Sequence, residues 1–135
     1  MRSRRLVDTN LIVRHLTQDN AKLSEIADKL FAASDRGELT LVVLPAVLAE
    51  SVFVLESFYT FSRARISDAL RTLISSPGIE LVDLPVHLNA LDRYRKGKAH
   101  FIDCVIASFA VAHKLAVATF DEGFGKFSDV RVETD

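Results

Sequence analysis

Apolar positions along the chain switch repeatedly between short runs and helical spacing, which predicts strands followed by helices. After Asn20, apolar residues recur every three or four positions, so we expect a helix capped by Asn20 and ended by Gly37. Leu39–Val43 is a compact apolar run typical of a strand, and Pro45 suits the first turn of a helix after it. The predicted inner face of the helix after Asn20 is Leu23, Ile26, Ala27, Leu30 and Phe31.

The same signals predict the other elements. The predicted strands are a short buried one at Arg5–Val7, one at Ile79–Val82 after the Pro77-Gly78 break, a fourth at Leu115–Ala118 and a candidate fifth at Val130–Val132. The predicted helices are a short one at Asn10–Leu16, one capped by Ser62 with Ile66, Leu70, Leu73 and Ile74 inward, one opened by Pro85 with Leu88, Leu91 and Tyr94, and one at Phe101–His113. A basic connector at Arg93–Lys98 joins the last two helices.

Strands that alternate with helices are typical of a parallel sheet. We therefore predict an α/β fold in three layers (α/β/α), with a central twisted parallel sheet of four to five strands and helices on both faces. In such folds ligands bind outside the carboxyl ends of the strands. Polar residues that follow the strands are thus the first candidates for a site.

Composition narrows the class of protein. The 135 residues, 49% of them hydrophobic and 26% charged, fit one folded domain and exclude a disordered chain. The net charge of -1 argues against a broad basic nucleic-acid surface but leaves a nuclease open, because acidic site residues would mask a modest positive surface. Cys104 is the single cysteine, so no internal disulfide forms; we expect a core residue in a reducing cytoplasm.

Two segments resemble a membrane span and a signal peptide, but the sequence argues against both interpretations. The nearly apolar run Leu39–Leu55 is interrupted by Pro45 and Glu50, so it divides better into a strand and a helix than into a membrane span. The basic start MRSRRLVDTN has no long apolar stretch behind it, because Asp8 interrupts. It is a poor signal peptide.

Four acids stand in apolar stretches: Asp8, Glu50, Asp103 and Asp121. We expect these carboxylates to be buried. Burying a carboxylate without a cationic partner costs free energy, so four such residues indicate a functional site. On the predicted topology each acid lies at the carboxyl edge of the sheet, either just after a strand or in the first turns of a helix that starts there. The sequence predicts that the four carboxylates converge.

Three of the four acids also have a structural alternative. Asp8 and Asp121 suit helix caps, and Asp103 in a first helical turn interacts favourably with the helix dipole. Glu50 is the exception, because the positions three and four residues away are apolar and offer no lysine or arginine to pair with it.

Crowded carboxylates raise one another's pKa unless a cation neutralises them, and a hard divalent ion with oxygen ligands does so. Zinc is disfavoured, since the four histidines, His15, His87, His100 and His113, lack ligand spacing. Thr9, Asn10 and Thr119 flank the acids and could orient ligands or waters, or serve local caps and turns. The chain contains no glycine-rich phosphate loop.

The segments VDTNLIVR, LPAVLAESVFVL, GKAHFIDCVIASFA and ATFDEGF resemble, in order, those of the PIN-domain ribonucleases, and more closely the VapC-type toxins of toxin–antitoxin pairs. The resemblance covers nearly the whole chain and implies a single PIN-like domain over residues 1–135.

It further implies an endoribonuclease dependent on Mg²⁺ or Mn²⁺, in which Asp8, Glu50, Asp103 and Asp121 are the catalytic metal ligands. By the same resemblance, Asn10 with Thr9 and Thr119 match the family's polar residues beside the acids. Two positions depart from the pattern. His100 and Gly123 stand where relatives often carry further acids, which bears on a second metal ion.

The resemblance also implies partners: an RNA substrate, a second copy of the chain in a homodimer, and a small antitoxin that presents an arginine to the acidic groove. Arg14 and the connector Arg93–Lys98 are candidate RNA contacts, with a solvated surface as the alternative for the connector.

Three other functions remain open from the sequence. A metal-dependent DNA nuclease or phosphatase could use the same acidic site. A receiver-like signalling module would also gather acids, but it normally requires a lysine after a late strand, where this chain has Thr119-Phe120-Asp121. A non-catalytic PIN-like binding module is disfavoured because all four acids are present.

Overall fold

The computed structural model describes residues 3–134 as an α/β chain. Met1 and Arg2 of the basic start lie outside the described residues. The elements in order are β1 (Ser3–Leu6), α1 (Thr9–Thr17), α2 (Ala21–Asp35), β2 (Leu39–Val42), α3 (Pro45–Ser57), α4 (Arg63–Ile74), β3 (Ile79–Glu80), α5 (Leu84–Lys96), α6 (Phe101–His113) and a 3-10 helix at Glu122–Lys126.

The sheet is parallel, as predicted, in the order β1-β2-β3. Leu6 at the end of β1 pairs with Val42 at the end of β2, so the carboxyl ends of these two strands are adjacent. No residue of the central strand β2 is exposed, and Leu39 and Leu41 are buried. The α/β class with a parallel sheet is confirmed.

The predicted sheet of four to five strands is too large, since three strands form within residues 3–134. The segments predicted as the fourth and fifth strands meet only in an isolated parallel bridge between Val117 and Val132. Val117 accepts a hydrogen bond from Glu133 N and donates one to Arg131 O, at 3.0 and 2.8 Å. These two bonds do not extend into a ladder, so the apolar runs at 115–118 and 130–132 are extended segments without a regular strand.

The first strand also differs from its prediction. It spans Ser3–Leu6 rather than Arg5–Val7, and all four of its residues are exposed, with Leu6 at 68%. Only Val7, just beyond the strand, is buried. As the outer strand of the described sheet, β1 pairs on one side only, so its other edge has no strand partner among the described residues.

The helices follow their start signals. The side chain of Asn20 accepts a hydrogen bond from Leu23 N at 3.0 Å, and that of Ser62 accepts one from Arg65 N at 3.1 Å, so both predicted caps are confirmed. Pro45 begins α3, and α6 has the predicted bounds Phe101–His113. The predicted inward stripe of α4, Ile66, Leu70, Leu73 and Ile74, is buried throughout.

The basic connector is in large part helix. Arg93–Lys96 forms the last turn of α5, and the connection to α6 is only Gly97–His100. Helix α5 therefore runs further than the apolar pattern indicated, because its last turn is polar on every side except at Tyr94, which is buried.

The chain divides into two compact units, Met1–Val82 and Asp83–Asp135. The N-terminal unit contains the sheet and α1–α4, with Ile12, Leu48 and Leu70 fully buried in its core. In the C-terminal unit α5 packs against α6, and the ring of Tyr94 meets that of Phe101 edge to face at 5.9 Å between centroids. Cys104 is buried there, as predicted.

Within residues 3–134, no helix is both long enough and apolar enough to cross a bilayer. The Leu39–Leu55 run forms β2 and α3, as the sequence predicted.

Candidate functional site

Asp8 lies between β1 and the first turn of α1, at the carboxyl end of the strand. Its Oδ1 accepts a hydrogen bond from Leu11 N at 3.1 Å, so Asp8 is the N-cap of α1. A cap needs only one carboxylate oxygen. The second oxygen is thus open to another ligand, and the capping and metal-binding interpretations of Asp8 are compatible.

Three predicted site residues of the N-terminal unit line one pocket of about 160 Å³: Asp8, Asn10 and Arg14. Apolar side chains of α1 and α2, including Leu23 and Ile26, complete it. These two were predicted to face the core, but they are 45% and 49% exposed. Thr9 is buried and is absent from the pocket wall. Of the polar residues beside Asp8, Asn10 is therefore better placed to meet a ligand.

Arg14 is held by a partner that the sequence did not suggest. Its Nη1 donates to both carboxylate oxygens of Asp19 at 2.8 Å, and Tyr59 Oη donates to Asp19 Oδ2 at 2.5 Å. The hydroxyl of Thr17 donates to Asp19 as well, at 2.9 Å. These donors, Tyr59 first and Arg14 next, lower the pKa of Asp19 to about 2.

The ion pair fixes the guanidinium of Arg14 at the pocket wall. Its Nε is buried and has no hydrogen-bond partner among residues 3–134. An arginine already bound to a carboxylate carries less uncompensated charge toward a phosphate. Arg14 remains a predicted RNA contact, but one shared with Asp19.

Glu50 lies in the second turn of α3, the helix that leaves the carboxyl end of β2. Because β1 and β2 are adjacent and parallel, Asp8 and Glu50 belong to the same edge of the sheet. Glu50 is exposed, however, and so is its apolar neighbour Phe53 at 60%. The apolar sequence around Glu50 therefore does not indicate burial.

The C-terminal unit carries the other two acids. Asp103 is half-buried in the first turn of α6. His100, the N-cap residue of that helix, makes no side-chain capping hydrogen bond. The carboxylate of Asp103 in the first turn interacts favourably with the positive end of the helix dipole. No ligand role for His100 follows from this position.

Asp121 caps the 3-10 helix. Its Oδ1 accepts from Gly123 N at 2.8 Å, and its own N–H donates to Thr119 Oγ1 at 2.9 Å. Thr119 thus fixes the backbone of Asp121, which suits its predicted place beside an acidic ligand. A Cβ at position 123 would lie 2.9 Å from Asp121 Oδ1, so glycine at this position makes room for the capping carboxylate.

The expectation that the four acids are buried is wrong. Asp8, Glu50 and Asp121 are exposed and Asp103 is half-buried. Within the described residues, no three His, Cys, Asp or Glu side chains are arranged to hold a metal ion. The structure brings Asp8 together with Asn10 and Arg14, and Asp121 together with Thr119. The convergence of all four acids stays a prediction.

The chemistry of the donors nevertheless fits a hard divalent ion. All four candidate ligands are carboxylates, and the single thiol, Cys104, is buried in the core. Mg²⁺ and Mn²⁺ prefer such oxygen ligands, whereas zinc sites usually include thiolate or imidazole.

A comparison with protein families identifies the domain. The model of the PIN domain family matches residues 5–130. The chain belongs to the PIN domain family. PIN domains are typically metal-dependent nucleases, most often ribonucleases, and they generally use divalent metals, usually Mg²⁺. A comparison of the chain with curated proteins found no match. The matched range of this PIN domain includes all four acids.

Proposed function

We propose that this PIN domain is an endoribonuclease that hydrolyses RNA phosphodiester bonds with Mg²⁺ or Mn²⁺, and that it is the toxin of a type II toxin–antitoxin pair. The observation that carries the proposal is the family match over residues 5–130, which includes Asp8, Glu50, Asp103 and Asp121 in order. These carboxylates are the proposed metal ligands.

A bound divalent ion would supply Lewis acidity toward a phosphate oxygen and lower the pKa of a bound water. The chain's own residues would hold and orient it. Asp8 keeps one carboxylate oxygen beyond its cap, Asn10 offers an amide in the same pocket, and Thr119 fixes the backbone of Asp121. The acids thus serve as ligands, not as nucleophiles.

The test is cleavage of single-stranded RNA and of a transfer-RNA pool, with Mg²⁺, with Mn²⁺ and with EDTA. Asp8→Asn should abolish cleavage, because an amide is a far weaker ligand for Mg²⁺ than a carboxylate. Asp35→Asn, which changes an exposed acid at the end of α2, is the matched control and should cleave like the wild type.

DNA and a simple phosphomonoester are run beside the RNA. Metal-dependent turnover of either one, without RNA cleavage, would replace the proposed substrate with a DNA nuclease or phosphatase activity. Normal turnover by Asp8→Asn would remove Asp8 from the site.

The biological role rests on the resemblance to VapC-type toxins. We propose a cytoplasmic homodimer silenced by a small antitoxin that places an arginine against the carboxylates, since a guanidinium matches a carboxylate in bidentate geometry. Expression should arrest growth, Asp8→Asn should not, and the product of the neighbouring reading frame should restore growth and co-purify. Normal growth on expression of the wild type would contradict the toxin role, and growth arrest by Asp8→Asn would show that the arrest does not require Asp8.

A further inference from the structure

The loop between α3 and α4 brings two aromatic rings and an arginine together in the N-terminal unit. Residues 58–62 form this loop, with the sequence Phe-Tyr-Thr-Phe-Ser. The guanidinium of Arg65, in the first turn of α4, lies over the ring of Phe61 at 3.6 Å from its centre. The ring of Tyr59 meets that of Phe61 edge to face at 6.0 Å between centroids. Tyr59, Phe61 and Arg65 thus form one stacked group.

Arg65 presents a flat face and a positive charge to the solvent. It is exposed, whereas Phe61 is half-buried. Within residues 3–134 its guanidinium contacts the Phe61 ring and forms no ion pair with a carboxylate. A guanidinium stacked in this way keeps its donors for an anion and its outer face for a second flat ring. A nucleotide supplies both, because it joins a flat base to a phosphate, whereas an acidic peptide supplies only the charge.

The backbone of the same loop is strained. Thr60 has a φ of 52°, in the left-handed region that a β-branched residue rarely adopts. Its hydroxyl donates to Tyr59 O at 2.7 Å, a local bond that supports the turn. Strained residues of this kind concentrate at segments that bind ligands. Because Thr60 lies between Tyr59 and Phe61, its conformation sets the orientation of the two rings relative to each other.

Direct contacts connect the stacked group with the pocket that contains Asp8. Nη1 of Arg14 donates to Tyr59 Oη at 3.4 Å, and Arg14 lines that pocket together with Asp8. All of these residues belong to the N-terminal unit. Arg14 alone therefore bridges the pocket and the ring of Tyr59. A single RNA strand with a phosphate at Asp8 would pass the stacked group within a few nucleotides.

We propose that Phe61 and Arg65 form a stacking site for one unpaired base of the RNA substrate, with the base against the outer face of the Arg65 guanidinium. The inference rests on the proposed ribonuclease function and adds to it the class of RNA, which is single-stranded near the cleaved bond. Bases in a duplex are stacked on their neighbours, so only an unpaired base reaches this site. Because every base has a flat face, the site binds without a strong sequence preference.

Two conservative variants remove the flat surfaces and keep the net charge. Phe61→Leu removes the ring but stays apolar, and Arg65→Lys keeps the positive charge but loses the planar guanidinium. The matched controls are Phe109→Leu, at another half-buried phenylalanine with two ring contacts, and Arg71→Lys, at an exposed arginine in the last turn of α4. Binding of a labelled single-stranded RNA and of its duplex is measured in EDTA over a range of salt concentrations.

We expect Phe61→Leu and Arg65→Lys each to bind the single strand about tenfold more weakly, as the loss of one base stack requires. The slope of log K against log salt should stay that of the wild type, because neither variant changes the net charge. Both controls should bind like the wild type, and duplex RNA should bind all five proteins alike. With Mg²⁺, the two variants should raise KM for the single strand by about the same factor while kcat changes little.

Arg65→Lys decides the test if Phe61→Leu lowers the temperature of thermal unfolding, because Arg65 is exposed. Wild-type affinity and KM in Arg65→Lys would overturn the stacking site. An equal loss of affinity for duplex RNA would overturn it as well, since it would indicate contacts to the backbone. Loss of a co-purifying protein partner from the two variants, with normal RNA binding, would assign the loop to that partner instead.

The outcome is separable from that of the proposed function. If the wild type cleaves RNA with Mg²⁺ but Arg65→Lys binds and cleaves like it, the stacking site falls and the ribonuclease stands. If the wild type binds single-stranded RNA through the stack but cleaves none, the stacking site stands and the ribonuclease falls. If the wild type neither binds nor cleaves RNA, both fall.

Discussion

Arg14, which the sequence predicts as an RNA contact, pairs in the structure with the carboxylate of Asp19. Its position one helical turn after Asn10 could be predicted from the sequence. The ion pair could not, because Asp19 looks like an ordinary turn residue and Tyr59, which completes the network, is 40 residues away. Hydrogen bonds between residues this far apart in the sequence cannot be predicted from the spacing of neighbouring residues.

The first prediction concerns the pH dependence of this network. The pKa of Asp19 is about 2 in the folded chain against 3.8 without the fold, so ionised Asp19 stabilises the fold fully above 3.8. That contribution is lost as the pH falls through about 2. Asp19→Asn should therefore be less stable than the wild type at neutral pH, with the difference shrinking in acid.

Urea unfolding at several pH values measures this difference. Asp35→Asn, an exposed acid on α2, serves as the control. A gap between wild type and Asp19→Asn that is the same at neutral pH and near pH 2 would show that ionisation of Asp19 contributes no stability.

Gly123 gives a second prediction at the residue scale. A Cβ there would lie 2.9 Å from Asp121 Oδ1, whereas one at Gly125 would meet nothing within 4 Å. Gly123→Ala should displace the Asp121 carboxylate, weaken its bond to the N–H of residue 123, cost about 1 kcal/mol and lower cleavage. Gly125→Ala is the matched control. Thermal unfolding and cleavage rates that are equal in the two variants would contradict the prediction.

Exposure of the acids was the main failure of sequence reasoning at this scale. Glu50 has apolar neighbours in the chain, but Phe53 is itself 60% exposed, so those neighbours do not form a buried face. Apolar neighbours in the sequence therefore do not determine whether a side chain is buried in the folded chain.

At the scale of elements, helices were predictable because their caps are local. Asn20, Ser62 and Pro45 each mark a helix start by interactions within one turn, and all three were predicted. Strands were less predictable. The run at Leu115–Ala118 has the composition of a strand, but only Val117 forms a bridge, since pairing depends on a distant partner.

Asp8 is both the N-cap of α1 and a proposed metal ligand, and two substitutions separate these roles. Asparagine caps a helix about as well as aspartate, whereas alanine cannot accept the bond from Leu11 N. Asp8→Asn should keep the stability of the wild type while losing cleavage, and Asp8→Ala should lose cleavage and about 1 kcal/mol of stability as well. Denaturant unfolding measures the stability term. Equal stabilities for the two variants would mean that the cap contributes nothing to α1.

At the scale of the whole molecule, the four acids are divided equally between the two compact units. Asp8 and Glu50 belong to Met1–Val82, and Asp103 and Asp121 to Asp83–Asp135. Their order along the chain and the family match were accessible from the sequence. Whether the four acids bind one metal ion together depends on the tertiary structure. The effect of the metal ion on the stability of the folded chain measures this directly.

A divalent ion that binds the folded chain stabilises it by RT ln(1 + [L]/Kd), which is about 2.7 kcal/mol at a concentration one hundred times Kd. Mg²⁺ should therefore raise the Tm of the wild type, and EDTA should reverse the rise. If the four carboxylates act as one ligand set, Asp8→Asn and Asp103→Asn should each remove the rise, although they change different units. Asp35→Asn should retain it. A rise that persists in both single variants would show that neither acid is required for the ion, and the quartet would then have to be abandoned as the metal site.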